Sequence, residues 1–336
     1  MRRRRCLMAA VVGIRAWPRP VVFVGETLLV SVCYYVAGRL GLSQQLVADG
    51  AVVTPIWPPT GVAVACLLLF GLRCAPGIAL GALLVVASLT APRLSAAGIV
   101  LGNTIAPVCA LLMLRAVGFR VSLSRLRDGV ALVFLGALTA MLISSGVGVG
   151  MLVLTDKLAA DDFWLVWLAW WVGDAMGVVL VTPLLLLLHR ARRSPPSGRW
   201  GEAVGLALVV CVLVPVVTYS SISVLFLVYP LLIWAALRFQ LAGGMPCALY
   251  ASVMTTVAAR DEAGSFGALT DIETMMKLQA FNGTLGLTAL LLSAVITEQI
   301  NTRRSVERAC HELVEALQHL NAGGSGNTGP PGRGAG

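Results

Sequence analysis

Long apolar runs, separated by short polar segments, repeat along nearly the whole chain. A helix needs about 20 apolar residues to cross the hydrocarbon core of a bilayer, within a range of about 17–25. Ten runs approach this length, and they predict ten transmembrane helices at residues 21–38, 51–72, 75–91, 96–117, 129–154, 163–188, 202–219, 222–239, 242–259 and 278–298. The pattern therefore predicts an all-α, polytopic helical bundle.

The third run and the seventh to ninth runs are short, and the turns at residues 219–222 and 239–242 are tight. Eight spans, with some of these pieces re-entrant, is the alternative count. The loops leave no room for an extramembrane domain between the spans.

The distribution of basic residues predicts the orientation, because cytoplasmic loops are enriched in Lys and Arg. If the N-terminus is cytoplasmic and ten spans alternate, the inner segments hold 20 of the 25 basic residues. The outer segments hold the other five, together with several acidic residues. We therefore expect both termini to lie in the cytoplasm and the protein to be a multi-pass protein of a bacterial-type inner (plasma) membrane.

The composition supports this interpretation. Apolar residues make up 58% of the chain and charged residues 12%, whereas soluble domains have about 45–50% and about 25%. The net charge of +9 does not indicate a nucleic-acid partner, because the basic residues form short clusters between apolar runs. Those clusters suit contact with anionic membrane lipid.

Four regions follow from these patterns. Residues 1–20 form a basic cytoplasmic N-terminus, 21–298 a transmembrane domain, 299–320 a short cytoplasmic helix and 321–336 a disordered Gly-rich tail. The short helix carries an apolar seam at heptad spacing: Val306, Cys310, Leu313, Leu317 and Leu320. Because it spans barely two heptads, it does not specify a homodimer unaided, and a homodimer remains an alternative.

No catalytic motif is found, and no phosphate loop, GxSxG or HExxH is present. The three histidines, His189, His311 and His319, all lie at or beyond the predicted inner surface. The eight cysteines lack metal-ligand spacing. We therefore expect no catalytic residue, no metal site, no cofactor and no enzyme activity.

A proline-rich motif interrupts the second run. Prolines Pro55, Pro58 and Pro59 exclude a regular helix there but are compatible with a helix that begins near Pro59. Such a helix, ending near Leu72, has roughly 13 residues and a length of about 20 Å, too short to span. It is either a half-helix whose N-terminus faces an anionic ligand inside the protein, or an ordinary proline kink.

A carboxylate lies deep in the sixth run. Asp174 is about 11 residues, or about 16 Å, into the helix, where a charged group is costly and marks a functional site by default. Trp167 and Trp171 share a helix face, and both lie deeper in the span than the aromatic residues that mark the membrane–water interface. Because no span centre contains a Lys, Arg or His, Asp174 is either protonated or hydrogen-bonded by neutral donors such as Asn103, Thr104 or the indoles of Trp57 and Trp171. A structural hydrogen-bond hub is the alternative interpretation.

These two features define a hypothetical ligand-binding set. It consists of Trp57, Pro58, Pro59, Thr60, Gly61, Asn103, Trp167, Trp171 and Asp174.

The same residues, with several further short motifs, resemble a known family. The carriers of the resemblance are Trp57, Pro58, Pro59, Thr60, Gly61, Gly71, Arg73, Pro76, Gly77, Leu80, Gly81, Ala82, Gly102, Asn103, Thr104, Phe163, Trp164, Trp170, Trp171, Gly173, Asp174, Gly177 and Pro183. Over about residues 20–300 the chain resembles the membrane-associated sensor domain of type 1, an integral-membrane input module of bacterial signalling proteins.

The resemblance implies a sensor for a small molecule or for a state of the membrane. Family members usually carry a kinase, cyclase or phosphatase domain after the last span, whereas this sequence ends after a short helix and the tail. We therefore expect an input module without its own output domain, or one whose output protein acts in trans. The alternative is a secondary transporter with five plus five spans, although the two halves show little repetition.

Overall fold

The computed structural model describes residues 19–44, 46–48, 51–89, 94–191 and 200–325. The predictions for the basic N-terminal residues 1–18 and for residues 326–336 of the tail lie outside the described residues.

Over the described residues the chain forms ten helices, which confirms the predicted all-α polytopic bundle. We number them in chain order: α1 Arg19–Leu42, α2 Pro58–Phe70, α3 Ala75–Ala87, α4 Leu94–Ala116, α5 Leu126–Leu154, α6 Phe163–Met176 continuing through Gly177–Val181 and Thr182–Ala191, α7 Trp200–Thr218, α8 Val228–Phe239, α9 Leu241–Arg260 and α10 Asp271–Ser325.

Seven of these helices are long and apolar enough to cross a membrane by length and composition. The three shorter apolar helical stretches are Pro58–Phe70, Leu72–Ala87 and Leu225–Phe239. Short one-turn helices precede α3, α6, α8 and α10. The cytoplasmic placement of the termini remains a prediction, since the fold alone does not orient the bundle.

The second predicted span is broken, as the prolines indicate. Its first part is not helical: β1 (Leu46–Ala48) and β2 (Ala51–Val53) form an antiparallel hairpin in which Leu46 pairs with Val53. Pro58 and Pro59 then occupy the first turn of α2, where a missing N–H costs nothing. The 13-residue helix ends at Gly71, whose φ of 83° lies in the left-handed region.

Close packing by glycine joins α1 to α3. A Cβ at Gly77 would lie 2.6 Å from the main-chain oxygen of Thr27, and one at Gly81 would lie 2.7 Å from the Cβ of Tyr34. Small residues let membrane helices approach until their backbones touch. Gly77 and Gly81 are therefore packing residues at the contact between α1 and α3.

Helices α5 and α6 each contain a π-helical segment in mid-span, Leu132–Thr139 and Gly177–Val181. Such segments are rare and concentrate at functional sites. They lie next to each other, because a Cβ at Gly136 in the first would lie 3.9 Å from Val178 Cγ1 in the second.

The last helix, α10, runs without interruption for 55 residues. It therefore joins the last predicted span directly to the predicted cytoplasmic helix. Its inner part is buried at Leu285, Ala289 and Leu290, whereas Val306 and Leu313 of the apolar seam are 57% and 64% exposed. The seam side chains at Leu317 and Leu320 lie outside the described side chains.

The conformation of Gly71 predicts a local energetic cost for any other residue. Gly71→Ala should destabilise the protein by about 1–3 kcal/mol, because φ of 83° with ψ of −167° suits glycine alone. The new Cβ meets no atom closer than 3.4 Å, so the cost is conformational. Thermal unfolding in detergent measures it.

Gly205→Ala in α7 is the matched control. No atom lies within 4 Å of a Cβ at that position, and alanine favours a helix over glycine by about 1 kcal/mol. An unfolding temperature for Gly71→Ala at or above that of Gly205→Ala would contradict the strained-turn interpretation.

Candidate functional site

The half-helix α2 and helix α6 touch through their backbones. A Cβ at Gly61 would overlap the main-chain oxygen of Gly177, and one at Gly177 would overlap the main-chain oxygen of Trp57. A Cβ at Gly173 would lie 2.5 Å from the main-chain oxygen of Thr54. Each of these three positions therefore excludes every side chain except hydrogen.

Three hydrogen bonds fasten the same two segments together. The Trp57 N–H donates to Gly173 O at 2.9 Å. The Thr182 hydroxyl donates to Gly61 O at 3.0 Å. The Thr60 hydroxyl lies 2.7 Å from Trp57 O and 3.1 Å from the main-chain oxygen of Asp174, so it bridges both segments. We call this arrangement the α2–α6 clamp.

A cavity of about 460 Å³ lies beside the clamp, within the usual size range of small-molecule sites. Helices α1, α3, α4 and α6 and the segment before α2 form its walls. Seven of its lining side chains are aliphatic, and the six with polar atoms are Tyr34, Thr54, Trp57, Asn103, Trp170 and Asp174.

Two buried groups in this cavity have no hydrogen-bond partner among the described residues. Asp174 is fully buried, and neither of its carboxylate oxygens is bonded. The hydroxyl of Tyr34, which is 1% exposed, is likewise unbonded. Buried polar atoms are nearly always satisfied, and unlike the other unbonded buried atoms of the described residues these two groups border the cavity.

Neutral groups surround the carboxylate without satisfying it. The Ser144 hydroxyl and the Trp170 indole approach Asp174 closely enough to be potential hydrogen-bond donors to it, but neither forms a bond of normal distance and angle with a carboxylate oxygen. The Ser144 hydroxyl donates instead to Asn103 Oδ1 at 3.0 Å. Asn103 therefore links α4 to α5 and faces the cavity at the same time.

The structure divides the hypothetical ligand-binding set into three groups. Trp57, Asn103 and Asp174 line the cavity. Thr60 and Gly61 belong to the clamp. The prolines Pro58 and Pro59 form the first turn of α2 and pack on the end of α1, where Pro58 Cδ lies 3.0 Å from the Cβ position of Gly41.

Trp167 and Trp171 do not line this cavity, contrary to the expectation from sequence. Their rings stack with centroids 5.7 Å apart, and the Trp171 indole donates to Leu138 O on α5. The Thr104 hydroxyl is bonded within its own helix, to Val100 O at 2.7 Å. The expected donation from Trp171 and Thr104 to Asp174 is therefore wrong, because both donors are bonded elsewhere.

Sequence reasoning missed Tyr34, Trp170 and Thr54 as lining residues. A tyrosine in the middle of an apolar span is a usable signal, because its hydroxyl needs a partner when it is buried. Trp170 was visible as one of four closely spaced tryptophans. All three tryptophans contact α5, and Trp170 is the one that also lines the cavity, because of the rotation of α6.

Comparison with protein families identifies one family. The family model MASE1, the membrane-associated sensor domain 1, matches residues 27–300, which include the cavity, the clamp and the helices from within α1 to the middle of α10. Neither the curated proteins nor the solved structures contain a significant match to the chain.

The α2–α6 clamp predicts a large effect for a single methyl group. Gly177→Ala should destabilise the protein by at least about 1–3 kcal/mol, because the new Cβ overlaps main-chain atoms that cannot rotate away. The fraction of protein that stays monodisperse after heating in detergent measures the loss.

The control is Gly150→Ala in α5, where no atom lies within 4 Å of the Cβ position. Equal heat resistance of the two variants would mean that α2 and α6 do not make the described backbone contact.

Proposed function

Because the chain belongs to the family of membrane-associated sensor domain 1, we propose that its input site is the cavity beside Asp174 and that α5, α6 and α10 transmit the signal. The family consists of integral-membrane input domains of signalling proteins, and a sensor domain of this kind is not itself catalytic. The observation that carries the proposal is the unpartnered Asp174 carboxylate in a cavity of ligand size.

Helix α5 connects the cavity to α10. At the cavity it contacts Asn103 through Ser144, and a Cβ at Gly148 would lie 3.0 Å from the ring of Trp170. At its other end the Leu126 N–H donates to Glu298 Oε2 of α10 at 2.9 Å. A carboxylate at a helix N-terminus is stabilised by the helix dipole, so Glu298 couples the start of α5 to α10.

Helix α6 gives a second, direct connection. Its π-helical segment follows Asp174 by three residues and packs on α10, where a Cβ at Gly286 would lie 3.1 Å from Val179 Cγ1 and 3.2 Å from Leu180 Cδ2. A ligand that shifts Asp174 therefore displaces a segment in contact with both α2 and α10. Packed helices of this kind switch between discrete arrangements.

The continuous α10 carries the change out of the bundle. Its exposed seam residues Val306, Cys310 and Leu313 offer a surface to an output domain, to an output protein in trans or to a second copy of the chain. In this proposal the helix changes its pairing when the cavity is filled.

Transport, the alternative, has less support. Inverted-repeat transporters carry broken helices at corresponding positions of their two halves. In a division of five plus five helices the counterpart of the broken α2 is α7, and α7 is a 19-residue helix without a break.

We predict that Asp174→Asn abolishes signalling by the full chain fused to a diguanylate cyclase reporter. The amide keeps the volume of the carboxylate but removes its charge, so a cavity that recognises the charge no longer responds. Reporter output would be measured across growth conditions that change the output of the unmodified fusion.

Asp162→Asn, an equal change at an exposed position before α6, should leave the response intact. If the Asp174→Asn fusion inserts normally and still responds like the unmodified fusion, the cavity is not the input site.

We predict that Glu298→Ala uncouples input from output. It removes the hydrogen bond to Leu126 N at an exposed position, where screening by solvent limits the contribution of a charged group to about 1 kcal/mol, enough to shift a two-state equilibrium by about fivefold. Reporter output should move to a constant level while the unfolding temperature stays near that of the parent.

Glu307→Ala is the control, because Glu307 is on the same helix and pairs only with the exposed Arg303 at 3.0 Å among the described residues. A normal response of Glu298→Ala would exclude the α5 route and leave α6 as the connection.

A further inference from the structure

The cavity beside Asp174 has the chemistry of a site for an organic cation. We propose that its ligand is a protonated amine with an apolar body, held by Asp174 and Tyr34 and enclosed by aromatic rings. This inference rests on the proposed input site and names the class of molecule that the site takes.

The first argument is charge. Among the described residues that line the cavity, Asp174 and Tyr34 have ionisable side chains, and a tyrosine is neutral at ordinary pH. No Lys, Arg or His is among these lining residues. The ion pairs among the described residues all lie elsewhere. A carboxylate at membrane depth is stable when a cation accompanies it, and the described part of the chain supplies none.

The second argument is hydrogen-bonding capacity. A carboxylate only accepts hydrogen bonds, and the Tyr34 hydroxyl also accepts. Among the described residues, both carboxylate oxygens and the hydroxyl lack a hydrogen bond of normal geometry, and Tyr34 lies near the indole of Trp57 and within electrostatic range of Asp174. An ammonium group has up to three N–H donors and no acceptor, so it matches these acceptors.

The third argument is the aromatic lining. Tyr34, Trp57 and Trp170 all border the cavity together with Asp174. Aromatic faces attract cations electrostatically, and desolvated sites strengthen the attraction. The seven aliphatic side chains of the remaining wall suit the apolar body of the ligand.

The structure also weakens the case for an anionic ligand at the start of α2. Pro58 and Pro59 have no N–H group, and the Trp57 N–H is already donated to Gly173 O. Three of the four positions that hold anions at other helix N-termini therefore offer no free donor here.

Three probes of nearly equal shape separate the ligand classes: 2-phenylethylammonium, 2-phenylethanol and phenylacetate. Their dissociation constants would be measured by calorimetry on the full chain in lipid nanodiscs. We expect the ammonium to bind at least about tenfold more tightly than the alcohol, since hydrogen bonds to a charged partner are the stronger ones. Phenylacetate should not bind.

Variants assign the preference to the site. In Asp174→Asn the ratio between ammonium and alcohol should fall to about one. Tyr34→Phe keeps the ring and removes the hydroxyl, so it should weaken the binding of 2-phenylethylammonium severalfold and the binding of 2-phenylethanol less. If Asp174→Asn does not fold, Tyr34→Phe is the variant that tests the site. Asp162→Asn should retain the parent ratio.

Equal or tighter binding of the alcohol would overturn the proposal in favour of a neutral ligand on an uncharged Asp174. Tighter binding of phenylacetate, or no binding of any probe to folded protein, would overturn it as well. The reporter assay tests the input site separately. If the response requires Asp174 but the ammonium does not bind, the cation proposal is wrong and the proposal of an input site stands. Ammonium binding without such a response keeps the cation site and refutes its role in sensing.

Discussion

The contact between the backbones of α2 and α6 is the constraint on which the candidate site depends. Gly61 and Gly177 allow the two segments to approach until main-chain oxygens would collide with any Cβ. At that distance Thr60 and Thr182 bond the carbonyls of the opposite segment. Helix association in a bilayer has no hydrophobic driving force, so packing and such hydrogen bonds must hold the half-helix in place.

The clamp uses the main chain of Asp174 and leaves its side chain unbonded. Thr60 bonds the main-chain oxygen, while the carboxylate faces a cavity whose other polar side chains are neutral. The rigid clamp therefore fixes the position of an acid that the surrounding residues do not neutralise. Rigid placement of an unsatisfied group is what a ligand site requires, because the ligand then provides the missing interaction without a cost of reorganisation.

The two π-helical segments connect this site to the rest of the bundle. The segment in α6 begins three residues after Asp174 and contacts both α2 and α10, whereas the segment in α5 accepts the Trp171 indole. Trp167 and Trp171 thus stabilise the connection between α5 and α6 and do not line the cavity. The α5 helix begins at Leu126, and the Leu126 N–H donates a hydrogen bond to the carboxylate of Glu298 in α10.

The sequence by itself determined the helices, the break before α2 and the position of Asp174 deep within a span. Those features depend on local rules: run length and the missing N–H of proline. It did not determine which side chains meet in the cavity. A membrane helix is apolar on every side, so its pattern does not show which face meets which neighbour. Only the packing of α1 and α6 brought Tyr34 and Trp170 to Asp174 and turned Trp167 and Trp171 away.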